Sequence, residues 1–424
     1  MLAQAVRLTR LLPWAQKGGF AVLDQALFAG ANFLVNIFLA RWMEPTQYGA
    51  FAVAYAVFLL LATFHTSVLT EPMLVFGADK YTKRFPQYIG VLIYGHWWVT
   101  GIISLLLATT AFVLWQLGHA DLAQAMGGLT LASPLILFMW LVRRAFYVPG
   151  LPQWAATGGA LYLGFMLAGM YGLYREQWLS TAPALALMGI TSLAVSLWLT
   201  TILRPHWYIT GTSPPLETVY ADHWDYGRWA IATAAVTWVP GTFYYTLLAA
   251  WVGLEGSAAL RAIMNLIMPI LQANSAIAIL LLPPFVQAFT TEDRSRFLRF
   301  VRLVFILFAM GALGYWIFLL CFHAEVFCWV YGGRYGEETN ALLLAGLHPL
   351  PVGVTAVLGS ALRAMKRPDQ IFWCQTMGAV VTMTFGLWLL PSYGVIGAVI
   401  GGLASSVTVA VALMWVVWRP VPER

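Results

Sequence analysis

The sequence predicts an all-α polytopic membrane protein, and three observations carry that expectation. Of its 424 residues, 61% are hydrophobic and only 9% are charged, where a soluble domain carries roughly 25% charge. The apolar residues come in runs of membrane-crossing length, about 20 residues for a helix. The cations gather in alternate connections between those runs.

Taken in order, the apolar runs give twelve spans, at 19–41, 49–76, 87–116, 122–148, 152–174, 179–203, 228–250, 256–289, 300–322, 339–362, 370–390 and 394–418. Several are longer than a straight span needs and contain Pro or Gly, so bends or strong tilts are expected there. The basic, mildly amphipathic residues 1–18 lack a cleavage site and read as a cytoplasmic lead-in, and 419–424 as a short cytoplasmic tail. Twenty Trp and eighteen Tyr suit aromatic belts at the two interfaces.

Charge placement tests the span count. With the N-terminus inside, the inner segments hold nineteen of the twenty-three cations, among them Lys80, Arg143, Arg144, Arg228, Arg294 and Arg363. The outer loops hold three, Arg41, Arg175 and Arg334, and Arg261 falls within a span. A wrong count would scramble that asymmetry, so twelve spans with both termini cytoplasmic is the expected topology.

Residues 204–227 contain GTSPPLETVYADHWDYG and mark a linker between an N-lobe, 19–203, and a C-lobe, 228–418. Two short matches relate the halves. Leu39-Ala40-Arg41-Trp42 ends span 1 and Leu248-Ala249-Ala250-Trp251 ends span 7; Arg144-Ala145 through Pro149 follows span 4 and Arg363-Ala364 through Pro368 follows span 10. Six spans per half is an even number, so the repeats are parallel, related by an axis along the membrane normal.

Several function classes are excluded. No GxxxxGK[ST] loop, GxSxG elbow, HExxH helix or paired Cys/His spacing occurs, so no enzyme, cofactor or metal centre is expected. Cys321, Cys328 and Cys374 read as apolar fill, and the net charge of +6 is a topology signal that implies no nucleic acid. Energy for any transport must come from an ion gradient, the membrane potential, substrate binding or a partner that consumes product.

The candidate functional residues are polar groups at membrane depth. Asp24, Gln25, Asn32 and Asn36 lie at roughly 0°, 100°, 80° and 120° on span 1, one face of a helix. A carboxyl group in a span costs about 2.5–3.5 kcal/mol, so it faces protein or water. Asp24 and Glu71 stand at similar depth in spans 1 and 2 and could face each other or a shared cavity, as a cation or proton site, a gate, or partnered structural carboxyls. Arg261 in span 8 shares its face with Asn265 and Gln272; its planar fork suits a diphosphate or carboxylate, while pairing with Glu255 or headgroups is the alternative. His65, His96 and His348 lie well inside spans, where histidine relays protons or serves as hydrogen-bonded structure. His65 is counted with Asp24 and Glu71 as an ion-coupling or gate candidate.

Five segments carry a family resemblance: NIFLARWMEPTQYGAFAVAYAVFLLL (36–61), HWDYGRWAIATAAVTW (223–238), GSAALRAIMNLIMPILQANSAIAILLLPPF (256–285), YGGRYGEETNALLLAGLHPLPVGVTAVLGSALRAMKRPDQ (331–370) and PSYGVIGAVIGGLASS (391–406). They resemble the multidrug/oligosaccharidyl-lipid/polysaccharide exporter superfamily, and within it the polysaccharide-biosynthesis branch of O-antigen and exopolysaccharide flippases. The resemblance implies two six-helix lobes around a central, laterally open cavity lined by spans 1, 2, 7 and 8. It implies alternating access in a bacterial inner membrane and a lipid-linked sugar as substrate, carried on a polyprenyl diphosphate. Membrane lipids and a polysaccharide polymerase or assembly proteins would be partners. Such flippases for anionic head groups often show several cavity cations, whereas Arg261 is the one clear case here, which admits a less charged substrate. The alternatives are a cation-coupled antiporter of small molecules, a membrane glycosyltransferase or polymerase, and a scaffold subunit of a polysaccharide assembly machine.

Overall fold

The computed structural model describes residues 2–208, 213–291, 293–365 and 367–419; side chains are described from Gly19 onward except at 229, 233, 234, 237, 240, 276, 279, 280, 282, 283, 290, 291 and 368. The side chains of the expected lead-in, 209–212 of the expected linker and 420–424 of the expected tail lie outside the described residues. Helix accounts for 90% of the chain, with no strand among the described residues.

Among the described residues thirteen α-helices follow one another: α1 (Leu2–Trp42), α2 (Pro45–His65), α3 (Glu71–Ala78), α4 (Phe85–Gln116), α5 (Ala120–Ala145), α6 (Pro152–Arg175), α7 (Thr181–Leu203), α8 (Leu216–Trp251), α9 (Leu254–Thr291), α10 (Arg294–Tyr331), α11 (Thr339–Ala345), α12 (Pro349–Ala364) and α13 (Pro368–Trp418). Among the described residues, ten helical stretches are long and apolar enough to cross a membrane. The protein is therefore a multi-pass membrane protein. Its outer faces suit hydrocarbon: Trp98, Leu105, Leu131, Met310 and Trp388 are all more than half exposed.

Two breaks in helix geometry follow from the sequence. Thr66–Thr70, between α2 and α3, is a turn of π-helix, with the Glu71 amide bonded to the Thr66 carbonyl. Pro72 follows directly, and a proline has no amide for the carbonyl four residues back, that of Val68. The second break divides α13. Gly394 sits at φ +52° and ψ −126°, three residues after Pro391, a conformation open to glycine and strained for an L side chain. Beyond it the chain doubles back. A Cβ on Gly397 would lie 2.6 Å from the Leu389 carbonyl oxygen, and Ser405 Oγ donates to the Gly378 carbonyl at 2.7 Å. In a straight helix residues 378 and 405 would stand about 40 Å apart, so α13 is a helical hairpin.

The chain divides into two compact units, Met1–Phe38 with Val57–Ala234, and Leu39–Ala56 with Ala235–Arg424. In the first, α5 packs along both α4 and α7. Small residues permit the α5–α7 approach: a Cβ on Gly189 would lie 3.1 Å from the Ala132 Cα. Pro134 interrupts α5, and the Thr130 carbonyl that it leaves open accepts from Ser104 Oγ of α4 at 2.9 Å.

In the second unit α12 takes the central place, packed by α9, α10 and α13 around Phe285, Phe297, Val301, Val357, Leu358, Leu362 and Leu413. The tip of the first hairpin belongs to this unit. Arg41 Nη1 donates to the Trp329 carbonyl at 2.8 Å, and Arg334 Nη1 donates to the Met43 carbonyl. Each central helix ends on Arg-Ala, Arg144-Ala145 in α5 and Arg363-Ala364 in α12.

Candidate functional site

In the first unit the polar face of α1 meets the end of α5. Asp24 is fully buried. Arg143 Nη1 donates to its Oδ1 at 2.8 Å, and Tyr147 Oη to its Oδ2 at 2.6 Å. Gln25, itself exposed, adds a bond from Nε2 to Oδ2 at 3.2 Å. The Arg143 guanidinium lies over the Phe28 ring, 4.1 Å from its centroid. A buried carboxylate persists when a cation and hydrogen bonds replace its water, and Asp24 has both.

Asp24 is in contact with Arg143 from the last turn of α5, and Glu71 and Asp24 both act on Arg144 in the same turn. Arg143 is 2% exposed and belongs to the buried last turn of α5. Further along α1, Asn32 Nδ2 donates to the Phe28 carbonyl at 3.1 Å and Asn36 Nδ2 to the Asn32 carbonyl at 2.8 Å. These bonds run back along the helix, so the polar stripe is in part internal to α1.

The π turn after α2 joins two histidine contacts. His65 Nε2 lies 2.9 Å from His96 Nδ1 of α4, and both rings are fully buried. His223, in the first part of α8, stands 2.7 Å through Nδ1 from the Val68 carbonyl and 2.6 Å through Nε2 from Tyr88 Oη. A carbonyl only accepts, so Nδ1 carries the hydrogen and Nε2 accepts from the tyrosine. Burial pushes the His223 imidazole, which precedes the apolar run of α8, down to about 4, against the opposing effects of the Val68 carbonyl and Asp222. Beside it Lys80 Nζ and Tyr81 Oη both donate to Asp222 Oδ2, at 2.5 and 3.1 Å.

In the second unit Arg261 of α9 is 9% exposed. Its guanidinium lies 5.0 Å from the Tyr55 ring centroid and 5.7 Å from that of Tyr245. Tyr48 is close enough to act on it electrostatically as well. Tyr331 closes the group: its hydroxyl donates to the Ala262 carbonyl at 2.8 Å, and its side chain meets that of Asn265. Phenol rings present their negative faces to the cation, which makes burial of the guanidinium tolerable while leaving its donors chemically suited to an anion. Gln272 is not part of this cluster; it is exposed, further along α9 than the buried Asn265. Asn274, on the opposite side of the helix by spacing, is buried and donates to the Pro349 carbonyl at 3.4 Å.

The tyrosines around Arg261 were not marked by sequence reasoning, because aromatic residues in an apolar run look like packing or interface anchors. Their spacing held a signal: Tyr48 and Tyr55 are seven residues apart, one helix face. The partner of Asp24 had no local signal at all, lying 119 residues away.

No family model and no curated protein matches the sequence. Solved structures do match. The chain is similar to a multidrug resistance MATE family transporter of the MOP superfamily in its inward-facing conformation, at TM-score 0.78 and 12% identity, covering 93% of this chain and 97% of that one. It is similar to the lipid II flippase MurJ in an inward closed conformation, at TM-score 0.73 and 11% identity, over 94% and 87% of the two chains. A MOP superfamily transporter from Pyrococcus furiosus, described as having a binding pocket of reverse polarity, matches at TM-score 0.67 and 12% identity over 93% and 92%. The chain thus has the fold of these proteins.

Proposed function

We propose that the protein is a membrane transporter of the MOP type that moves a lipid-linked oligosaccharide from the cytoplasmic to the outer leaflet by alternating access. The fold it shares with a lipid II flippase and a multidrug transporter, over more than nine-tenths of its length, is the observation that carries this reading. The two arms of α13 and the 36 residues of α8, added to the other apolar stretches, support twelve spans in two lobes of six. The common Arg-Ala end of the two central helices supports a parallel repeat.

The fold likeness suits a multidrug antiporter equally well. What favours the flippase is the state of Asp24. Its oxygens already hold Arg143 and Tyr147, so a coupling cation would have to displace a buried ion pair. Arg261 in its ring of phenols supports an anionic head group, for which a guanidinium offers two parallel donors.

Reconstituted vesicles provide the test. A fluorescent short-chain polyprenyl diphosphate sugar should cross with the protein present, and R261A should lose that activity while inserting normally. Movement of ethidium in place of the lipid would replace the flippase by the antiporter. Movement of neither probe would sink the transport reading.

A further inference from the structure

Two arginines of the second unit stand on a face of α10 that the rest of that unit leaves bare. Phe297, Val301, Val304 and Phe308 are buried in the core around α12, which fixes how the helix is turned. At about 100° per residue, Arg299, Arg302, Leu303, Ile306, Met310 and Leu313 fall within about 100° of one another on the opposite side. Both arginines are exposed, and so are the apolar residues, from 45% at Ile306 to 64% at Met310. Lys80, Arg143 and Arg228 of the first unit each meet a carboxylate, whereas Arg299 and Arg302 meet none among the described residues.

The surrounding charge is chiefly positive. Arg296 is exposed on the flank of the same face, and Arg294 Nη2 donates to the Arg419 carbonyl at 2.7 Å. Asp293, which acts on Arg296, already accepts from Ser295 Oγ at 2.6 Å. The depth of this cluster follows from two separate marks. Arg419 lies over the Trp415 ring, 4.8 Å from its centroid, and Trp415 is itself exposed; such tryptophans sit at headgroup level. From Leu303 to Leu313 the apolar face rises about 15 Å, the depth of one leaflet in a hydrocarbon core of about 30 Å.

We propose that Arg299 and Arg302 form a binding site for an anionic phospholipid, whose phosphate lies between the two guanidinium groups and whose acyl chains run along Leu303, Ile306 and Met310. Residues three apart are neighbours on a helix, so both side chains reach one phosphate, and each guanidinium presents parallel donors to its oxygens. An acidic protein would match the arginines but not the apolar face that continues from them at leaflet depth. The site is built by α10 and its core, and it does not depend on what the protein transports.

The test exposes the full-length protein in detergent to phosphatidylglycerol or phosphatidylcholine with the same acyl chains and reads bound lipid by native mass spectrometry. The wild type should prefer phosphatidylglycerol by about tenfold or more, and R299Q/R302Q should bind it about ten- to thirtyfold more weakly while binding phosphatidylcholine as before. K83Q/R84Q, which removes two exposed cations from the first unit, should keep the preference. Equal retention of the two lipids by the wild type would overturn the proposal. The same loss in K83Q/R84Q would overturn it too, by showing that net charge alone attracts the lipid. Dimers that form without lipid and vanish in R299Q/R302Q would assign the face to a second copy of the chain instead.

Discussion

His223 donates to a carbonyl of the π turn that precedes Pro72, with Nδ1 at 2.7 Å from the Val68 oxygen. In a regular helix the amide of residue 72 would take that oxygen, and proline has none. The adjoining Ser67 carbonyl is where Gly227 of α8 packs, since a Cβ there would lie only 2.7 Å from it. The first part of α8 is thus fitted to a defect in its neighbour, through one donor and one missing side chain.

That fit has a measurable consequence. H223A should leave the Val68 carbonyl and the Tyr88 hydroxyl unpaired and cost about 1–3 kcal/mol. P72A restores the missing amide, so adding it to H223A should recover part of the loss. Thermal unfolding of the four proteins in one detergent measures the coupling, and additive costs would show that the two positions are independent.

The same histidine gives stability a pH dependence. The folded state keeps His223 neutral down to about pH 4, whereas the unfolded chain takes up a proton near about pH 6.5. Between those values the unfolded state binds more protons, so this contribution is full above about pH 6.5 and is lost as the pH falls toward 4. Unfolding measured across that window should show a steeper acid loss in wild type than in H223Q. Parallel curves would assign the acid sensitivity to other groups.

How much of this was legible in the sequence depends on how far apart the interacting residues lie. Apolar runs at 370–390 and 394–418 separated the two arms of α13, because span length is a local property. The Arg-Ala motif marked the ends of both central helices for the same reason. Asp24 stood out as costly in a membrane, but its partner Arg143 lay 119 residues on and counted as a loop cation by its place near the end of a span. The histidines were visible one by one, while their pairing depends on how α2 and α4 pack. A proline such as Pro72 in a long span announced a bend; only the fold could say which helix packs against it.

Gly394 should tolerate no side chain. Its φ of +52° and ψ of −126° would strain any L residue by roughly 1–3 kcal/mol. G394A should lower the melting temperature, while alanine at Gly311, which has open space around its Cβ position, should not lower it. Equal effects would mean that the α13 turn adapts.

Arg41 and Arg334 each hold a carbonyl beside the other, at Trp329 and Met43. Arg41 is exposed, so removing its bond should cost no more than about 1 kcal/mol. The clearer readout is local. R41A should speed amide hydrogen exchange in residues 329–334, and R334A in residues 42–45, with little change elsewhere. Unchanged exchange would show that the loop and hairpin tip are held by packing alone.

The last prediction concerns Asp24 and Arg143, a buried pair 2.8 Å apart. D24N removes the carboxylate and leaves Arg143 buried without its counter-charge; R143M does the reverse to Asp24. Breaking one side of such a pair typically costs about 3–5 kcal/mol, whereas replacing both sides is often close to neutral. The double variant D24N/R143M should therefore be more stable than either single variant, with Tyr147 still able to bond the amide oxygen that replaces the Asp24 carboxylate. In the flippase reading it should also retain lipid-probe transport, since neither group binds a coupling ion. A double variant that folds as well as wild type but transports nothing would return Asp24 to the coupling machinery.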